Sequence, residues 1–167
     1  MENVLWNDIK IMSIKGYMSF GNPSSASAAI MLSSYPEPEK LNGRHLFLSV
    51  DDVVNPVRTE AFRKEDAEQI AYFISSVQPI STLYVCCDGG VSRSSAVAAS
   101  LLYAKHGNDD SIWRDARYHP NRLVYEIMRL VLGHPCEMGE VDAKLAESDA
   151  ALARKIEQAA TISSKQF

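Results

Sequence analysis

Residues 83–104 constrain the fold more than any other stretch of the chain. Residues 83–87 are a compact apolar run, residues 88–93 a short loop with Gly89 and Gly90, and residues 94–104 an almost charge-free, mostly apolar segment. The first segment reads as a strand and the last as a buried helix. A buried strand that turns through glycines into a buried helix belongs in an α/β sheet. In such sheets ligands bind beyond the carboxyl ends of the strands, which here is the loop itself.

The rest of the chain fits that frame. Residues 9–14, 28–32 and 45–50 are short apolar runs expected as strands, the last ending on Asp51 and Asp52. Turn residues separate them: Gly21-Asn22-Pro23-Ser24-Ser25, Tyr35-Pro36-Glu37-Pro38 and Asn42-Gly43. Ala67, Ile70, Ala71, Ile74 and Val77 recur at the spacing of one helix face, and Pro79 closes that helix. Gly107 and Asn108 stop the buried helix, and residues 109–117 predict a short one. Pro120-Asn121 opens a further helix with a stripe of Val124, Ile127, Met128 and Val131. Residues 139–160, rich in Ala, Glu and Lys, predict a C-terminal helix whose narrow stripe is Val141, Leu145, Leu152 and Ile156. That stripe packs the helix on the domain, with a pairing helix as the alternative. The expected class is α/β, a central mostly parallel sheet flanked by helices on both faces.

Bulk properties exclude several roles. The chain has 167 residues, enough for one domain with a core that needs neither disulfides nor metal. Its formal net charge of -4 argues against nucleic-acid or membrane-surface partners, which call for basic patches. The cysteines are Cys86, Cys87 and Cys136, an odd number with two adjacent, so a disulfide framework is not expected and a reducing compartment is. The segment up to Lys10, with Glu2, Asn3, Asn7 and Asp8, lacks the basic and apolar regions of a signal peptide, and no apolar run nears the ~18 residues of a membrane span. A cytoplasmic protein is the expectation. No cofactor is called for, and His45, His106, His119 and His134 have no metal-ligand spacing.

The loop itself suits a phosphate. Gly89 and Gly90 let it curl, so that successive N–H groups converge on an anion. The following helix points its positive end at the same place. Arg93 offers a planar fork to two phosphate oxygens. The same field lowers the pKa of a thiol at Cys87, favouring the thiolate.

Cys87, five intervening residues, Arg93 and Ser94 resemble the signature loop of the protein tyrosine phosphatase superfamily, and Gly89-Gly90 with the Arg93-Ser94 ending is similar to its dual-specificity branch. The resemblance spans about residues 45–132. It implies Cys87 as nucleophile, Arg93 as phosphate clamp, and Ser94 as the hydroxyl that eases departure of the thiolate. It implies that the amides of Asp88, Gly89, Gly90, Val91, Ser92 and Arg93 hold the phosphate oxygens. Residues 48–52, apolar, any, apolar, any, Asp, match the strand that carries the family's general acid at Asp52, with Asp51 as the alternative. Pro120-Asn121 matches the pair whose asparagine braces the signature loop, or is an ordinary helix start. On this reading residues 1–137 are a phosphatase domain and residues 138–167 a helical extension packed on or projecting from it. The implied activity is hydrolysis of phosphotyrosine, with tolerance for phosphoserine and phosphothreonine, in phosphoproteins or phosphopeptides, through a phosphocysteine.

Two departures from the family's pattern stand out. Cys86 takes the place of the usual histidine, which helps to activate the thiol; strand alternation turns Cys86 away from Cys87, into the core. Asp88 puts an acidic side chain in the loop, which disfavours highly anionic substrates. The alternatives are a catalytically weak or inactive phospho-binding module of the same fold, a sulfur-transfer or thiol-redox protein, and an interaction protein working through its C-terminal helix.

Overall fold

The computed structural model describes residues 6–20 and 23–163. Of the turn expected at Gly21-Asn22-Pro23-Ser24-Ser25, the first two residues lie outside the described ones. Four strands, β1 (Asp8–Ser13), β2 (Ser27–Ser33), β3 (Arg44–Ser49) and β4 (Thr82–Cys87), form one sheet in the order β1-β4-β2-β3. Every pairing is parallel, where the sequence suggested a mostly parallel sheet. Parallel strands covered on both faces are expected as unbroken apolar runs. β2, Ser-Ala-Ala-Ile-Met-Leu-Ser, is buried at every position.

The helices divide unequally between the faces. α2 (Lys64–Ser76) links β3 to β4, and α3 (Arg93–His106), α4 (Asp110–Trp113), α5 (Arg122–Val131) and α6 (Glu140–Ser163) follow β4. The main core joins Ile30, Leu32, Val85 and Cys87 from the sheet with Ile70 and Ile74 of α2, Val97 and Leu101 of α3, and Val124 and Met128 of α5. The other face carries a smaller cluster, Ala29, Met31 and Cys86, closed by Ile14 and Tyr17 of α1 (Ile14–Met18). Residues 9–14 are therefore not all strand: the Ser13 side chain accepts from the Gly16 N–H at 3.0 Å, caps α1 and turns the chain.

Two other boundaries differ from the sequence reading. α4 stops at Trp113 rather than Arg117, because residues 114–121 form a loop whose backbone bonds to Val91 and Ser92. α3 ends where the pattern says, with Gly107 left-handed at φ 71° and its N–H on the Tyr103 carbonyl. Along α6, Val141, Ser148 and Ala151 are buried and Leu145 packs on the main core, but Leu152, Ile156 and Ile162 are exposed. The inner part of the helix is tied by Lys144 to the buried Asp109 (2.7 Å) and by Glu140 to Arg129 (2.7 Å). Among the described residues, no helix is long and apolar enough to cross a membrane.

This topology locates a crevice. The neighbours β1 and β4 send the chain to opposite faces, β1 into α1 and β4 into α3. Such a switch point leaves an opening at the carboxyl ends of the two strands, the common ligand position in open α/β sheets.

Candidate active site

The loop of residues 88–92 lies at that switch point. Cys87 is the last residue of β4 and is only 2% exposed. Its Sγ lies 3.1 Å from the Ser94 hydroxyl and accepts from the Gly90 N–H at 3.2 Å. Burial pushes the thiol up, but bonds from the Ser94 hydroxyl and the amides of Ser94, Val91 and Gly90 outweigh it, so the pKa falls below that of an ordinary thiol. Cys86 experiences the reverse. It faces the smaller cluster, and burial together with the neighbouring Cys87 pushes its thiol up to about 12. The expected opposition of the two cysteines across the strand is what the structure has.

Gly90 holds the curl of the loop. Its φ is 70°, and a Cβ there would lie 2.5 Å from Met12 C and Ser13 N at the end of β1. Only a residue without a side chain lets the loop rest on that backbone. Gly89 is not under this constraint; the nearest atom to its added Cβ would be 4.0 Å away.

Arg93 opens α3 and is only 4% exposed. Its Nη2 donates to Asp88 at 2.7 Å, and its Nη1 donates to the Val50 carbonyl at 2.5 Å and the Ser34 hydroxyl at 3.2 Å. Among the described residues its buried Nε has no partner. The Asp88 carboxylate also accepts from the Ser33 hydroxyl at 2.6 Å and the Ser34 N–H at 3.1 Å. Burial pushes the Asp88 carboxyl up, and the bonds from Ser33, Arg93 and Ser34 reverse that and hold it below the usual carboxylate range.

Of the two aspartates after β3, the structure joins Asp52 to the loop. Its Oδ1 accepts from the Ser92 hydroxyl at 2.9 Å and from the Asn121 amide at 2.7 Å. Among the described residues the Asp51 carboxylate has no such bond, while its backbone N–H donates to the Glu60 carbonyl at 2.9 Å. Asn121 has several partners. Its side-chain oxygen accepts from the Val124 N–H and caps α5, its side-chain nitrogen reaches Asp52 and the Val53 carbonyl, and its own N–H donates to the Ser92 carbonyl at 3.2 Å. The His119 N–H donates to the Val91 carbonyl at 3.1 Å, so the segment before α5 braces the loop from behind. Asn121 thus caps α5 and bonds to Asp52 and to the loop backbone at once. Beside Asp52 and Ser92 runs an open groove of about 840 Å³, walled by Val53, Val54 and Arg58 on one side and Pro120 and Leu145 on the other.

Ser33, Ser34 and the Val50 carbonyl were not picked out in the sequence. The available signal was position: all three stand at or just past the carboxyl ends of strands that neighbour one another in the sheet. Among the described residues no cluster of His, Cys, Asp and Glu is placed to hold a metal ion.

No protein-family model and no curated protein matches the chain. Among solved structures, that of DUSP15 overlays with a TM-score of 0.51 at 16% identity, covering 92% of this chain and 96% of that one. The structure of PTPMT1 in complex with PI(5)P overlays at a TM-score of 0.36 and 16% identity, covering 77% and 80%, too loosely to bear on the fold. Together with a parallel sheet whose inner strand β4 ends in the cysteine loop, the first overlay identifies the architecture: the chain has an α/β fold like that of the DUSP15 structure.

Proposed function

We propose that the chain is a cysteine-dependent phosphatase that hydrolyses phosphomonoesters through a phosphocysteine. The observation that carries this is Cys87 Sγ held at the centre of a curled loop by the Gly90 amide and the Ser94 hydroxyl, with the unpartnered Nε of Arg93 in the same loop.

The Cys87 thiolate attacks phosphorus in line with the ester oxygen. The S–P bond forms as the P–O bond to the alcohol breaks, and protonated Asp52 gives its proton to the departing oxygen. Water then attacks the phosphocysteine. Asp52, now a carboxylate, takes a proton from that water, phosphate leaves, and the Ser94 hydroxyl stabilises the thiolate that departs from phosphorus. Arg93 and the loop amides carry the charge on the equatorial oxygens through both steps, which is the main source of catalysis in phosphoryl transfer.

The substrate we propose is a phosphoprotein or phosphopeptide. The groove beside Asp52 gives the residues flanking the phosphorylated side chain a place to lie, with apolar walls and the Arg58 cation. The site is taken to be shallow enough for phosphoserine and phosphothreonine as well as phosphotyrosine.

The test is hydrolysis of para-nitrophenyl phosphate and phenyl phosphate without added metal, by reduced wild-type protein and by Cys87→Ser, Asp52→Asn and Asp51→Asn. Activity absent in Cys87→Ser, and lowered in Asp52→Asn mainly toward the poorer phenolate leaving group, is the expected result. An inactive wild type that still binds a phosphopeptide would replace this reading with the phospho-binding module, which the carboxylate of Asp88 against Arg93 favours. Equal rates on phosphotyrosine and phosphothreonine peptides support dual specificity; none on the latter removes it.

A further inference from the structure

Resting on the phosphatase reading of the loop, we propose that Asp88 is the positioning residue of Arg93, fixing which of its N–H groups face the substrate. An arginine has five N–H donors in one plane. Here three are engaged: two on Nη1, by the Val50 carbonyl and the Ser34 hydroxyl, and one on Nη2, by Asp88. The Nε–H and the second Nη2 hydrogen remain. Asp88 can hold the fork because it is held itself, through Ser33 and Ser34 just at the end of β2. Groups at the ends of three adjacent strands, β3, β2 and β4, therefore clamp one guanidinium.

The Nε of Arg93 is buried and unpartnered, an arrangement that costs free energy until an acceptor arrives. A tetrahedral oxyanion supplies such acceptors, and two of its oxygens match the two remaining hydrogens. The arrangement is not that of an anion occupying the substrate's place. Asp88 leaves Nε empty, and its other bonds go to Ser33 and Ser34 rather than to the loop amides.

The experiment is titration calorimetry of inorganic tungstate, an oxyanion that is not turned over, on wild type, Asp88→Asn and Asp88→Ala, alongside thermal melts and para-nitrophenyl phosphate kinetics. Losing one oriented charge-assisted bond is expected to weaken tungstate binding about tenfold or more in Asp88→Ala. Asp88→Asn, which keeps an acceptor of the same shape, is expected to recover part of it, and kcat is expected to follow the same order. Tighter tungstate binding in Asp88→Ala would overturn the proposal in favour of simple repulsion. Unchanged binding with a lower melting temperature would overturn it in favour of a purely structural role, and no tungstate binding by wild type would also sink it. Asp88-dependent tungstate binding by a wild type that hydrolyses no ester leaves the positioning role standing and removes the phosphatase reading alone.

Discussion

Asn121 offers a way to separate stability from catalysis at a single position. It is buried, caps α5 through the Val124 N–H (3.1 Å), and bridges to Asp52 (2.7 Å) and the Val53 carbonyl (3.2 Å). Asn121→Ala removes the cap, worth about 1 kcal/mol. It also removes a bond to a carboxylate and one to a carbonyl, worth together about 1–2 kcal/mol at the low end of the range, because Asp52 is exposed. The total, about 2–3 kcal/mol, corresponds to about 5–10 °C in Tm for a domain of this size. Asn121→Ser keeps an oxygen able to accept from Val124 but is too short to reach Asp52. It should be more stable than the alanine variant by about the cap, ~1 kcal/mol. On phenyl phosphate the two should fall together, because both release Asp52, and by about tenfold, part of the 10²–10⁴ that a general acid supplies, since the Ser92 bond remains. Para-nitrophenyl phosphate, whose leaving group needs little protonation, should be hardly affected. Urea unfolding and the two esters together check this. A serine variant as active as wild type on phenyl phosphate would refute the idea that Asn121 positions Asp52. A serine variant as unstable as the alanine one would refute the cap.

Three further outcomes are expected. Asp109→Ala strands the Trp113 Nε1, the Tyr125 hydroxyl and the Lys144 ammonium, at 2.9, 2.7 and 2.7 Å in the wild type, and should cost about 3–5 kcal/mol in urea unfolding. Ser94→Ala removes the side-chain bond that most lowers the Cys87 thiol, so its pKa rises; the rate of alkylation by iodoacetamide, and the acid limb of kcat/KM, should both move to higher pH. Gly90→Ala places a Cβ against backbone atoms that cannot step aside and should cost about 2–5 kcal/mol, with loss of hydrolysis, whereas Gly89→Ala should leave the fold unchanged by thermal melt.

The elements that periodicity or punctuation defines were legible in the sequence. The apolar runs of β2 and β4, the stripe of α2, and Gly107 closing α3 are all local signals. α1 was not, because five residues are too few to show a helical period, and Ile14 extends the apolar run of β1 without a break. The helix expected over residues 109–117 shrank to Asp110–Trp113, because tertiary bonds of His119 and Asn121 to the loop claim the following backbone. At the site, the cysteine-to-arginine spacing places Cys87, Arg93 and Ser94 together because all three lie on one short turn. The support of Asp88 by Ser33 and Ser34 depends on how β2 and β4 lie side by side, which no local pattern encodes. The spacing of residues 48–52 favoured Asp52 with Asp51 as the alternative, while the bonds of Asp52 to Ser92 and Asn121 come from residues distant in the chain, which no spacing shows.

The close approach of Gly90 to Met12 and Ser13 makes the loop of residues 88–92 a tenant of an edge strand. Among the described residues β1 is paired on one side only, with β4, and an edge strand is a place where a sheet can open locally. Whenever β1 lifts, the backbone on which Gly90 rests is withdrawn, and the amides of the loop lose their common focus. Hydrolytic competence should thus fade before the main core melts. On heating or in mild denaturant, turnover should be lost together with protection of the β1 amides against hydrogen exchange, ahead of those in β2.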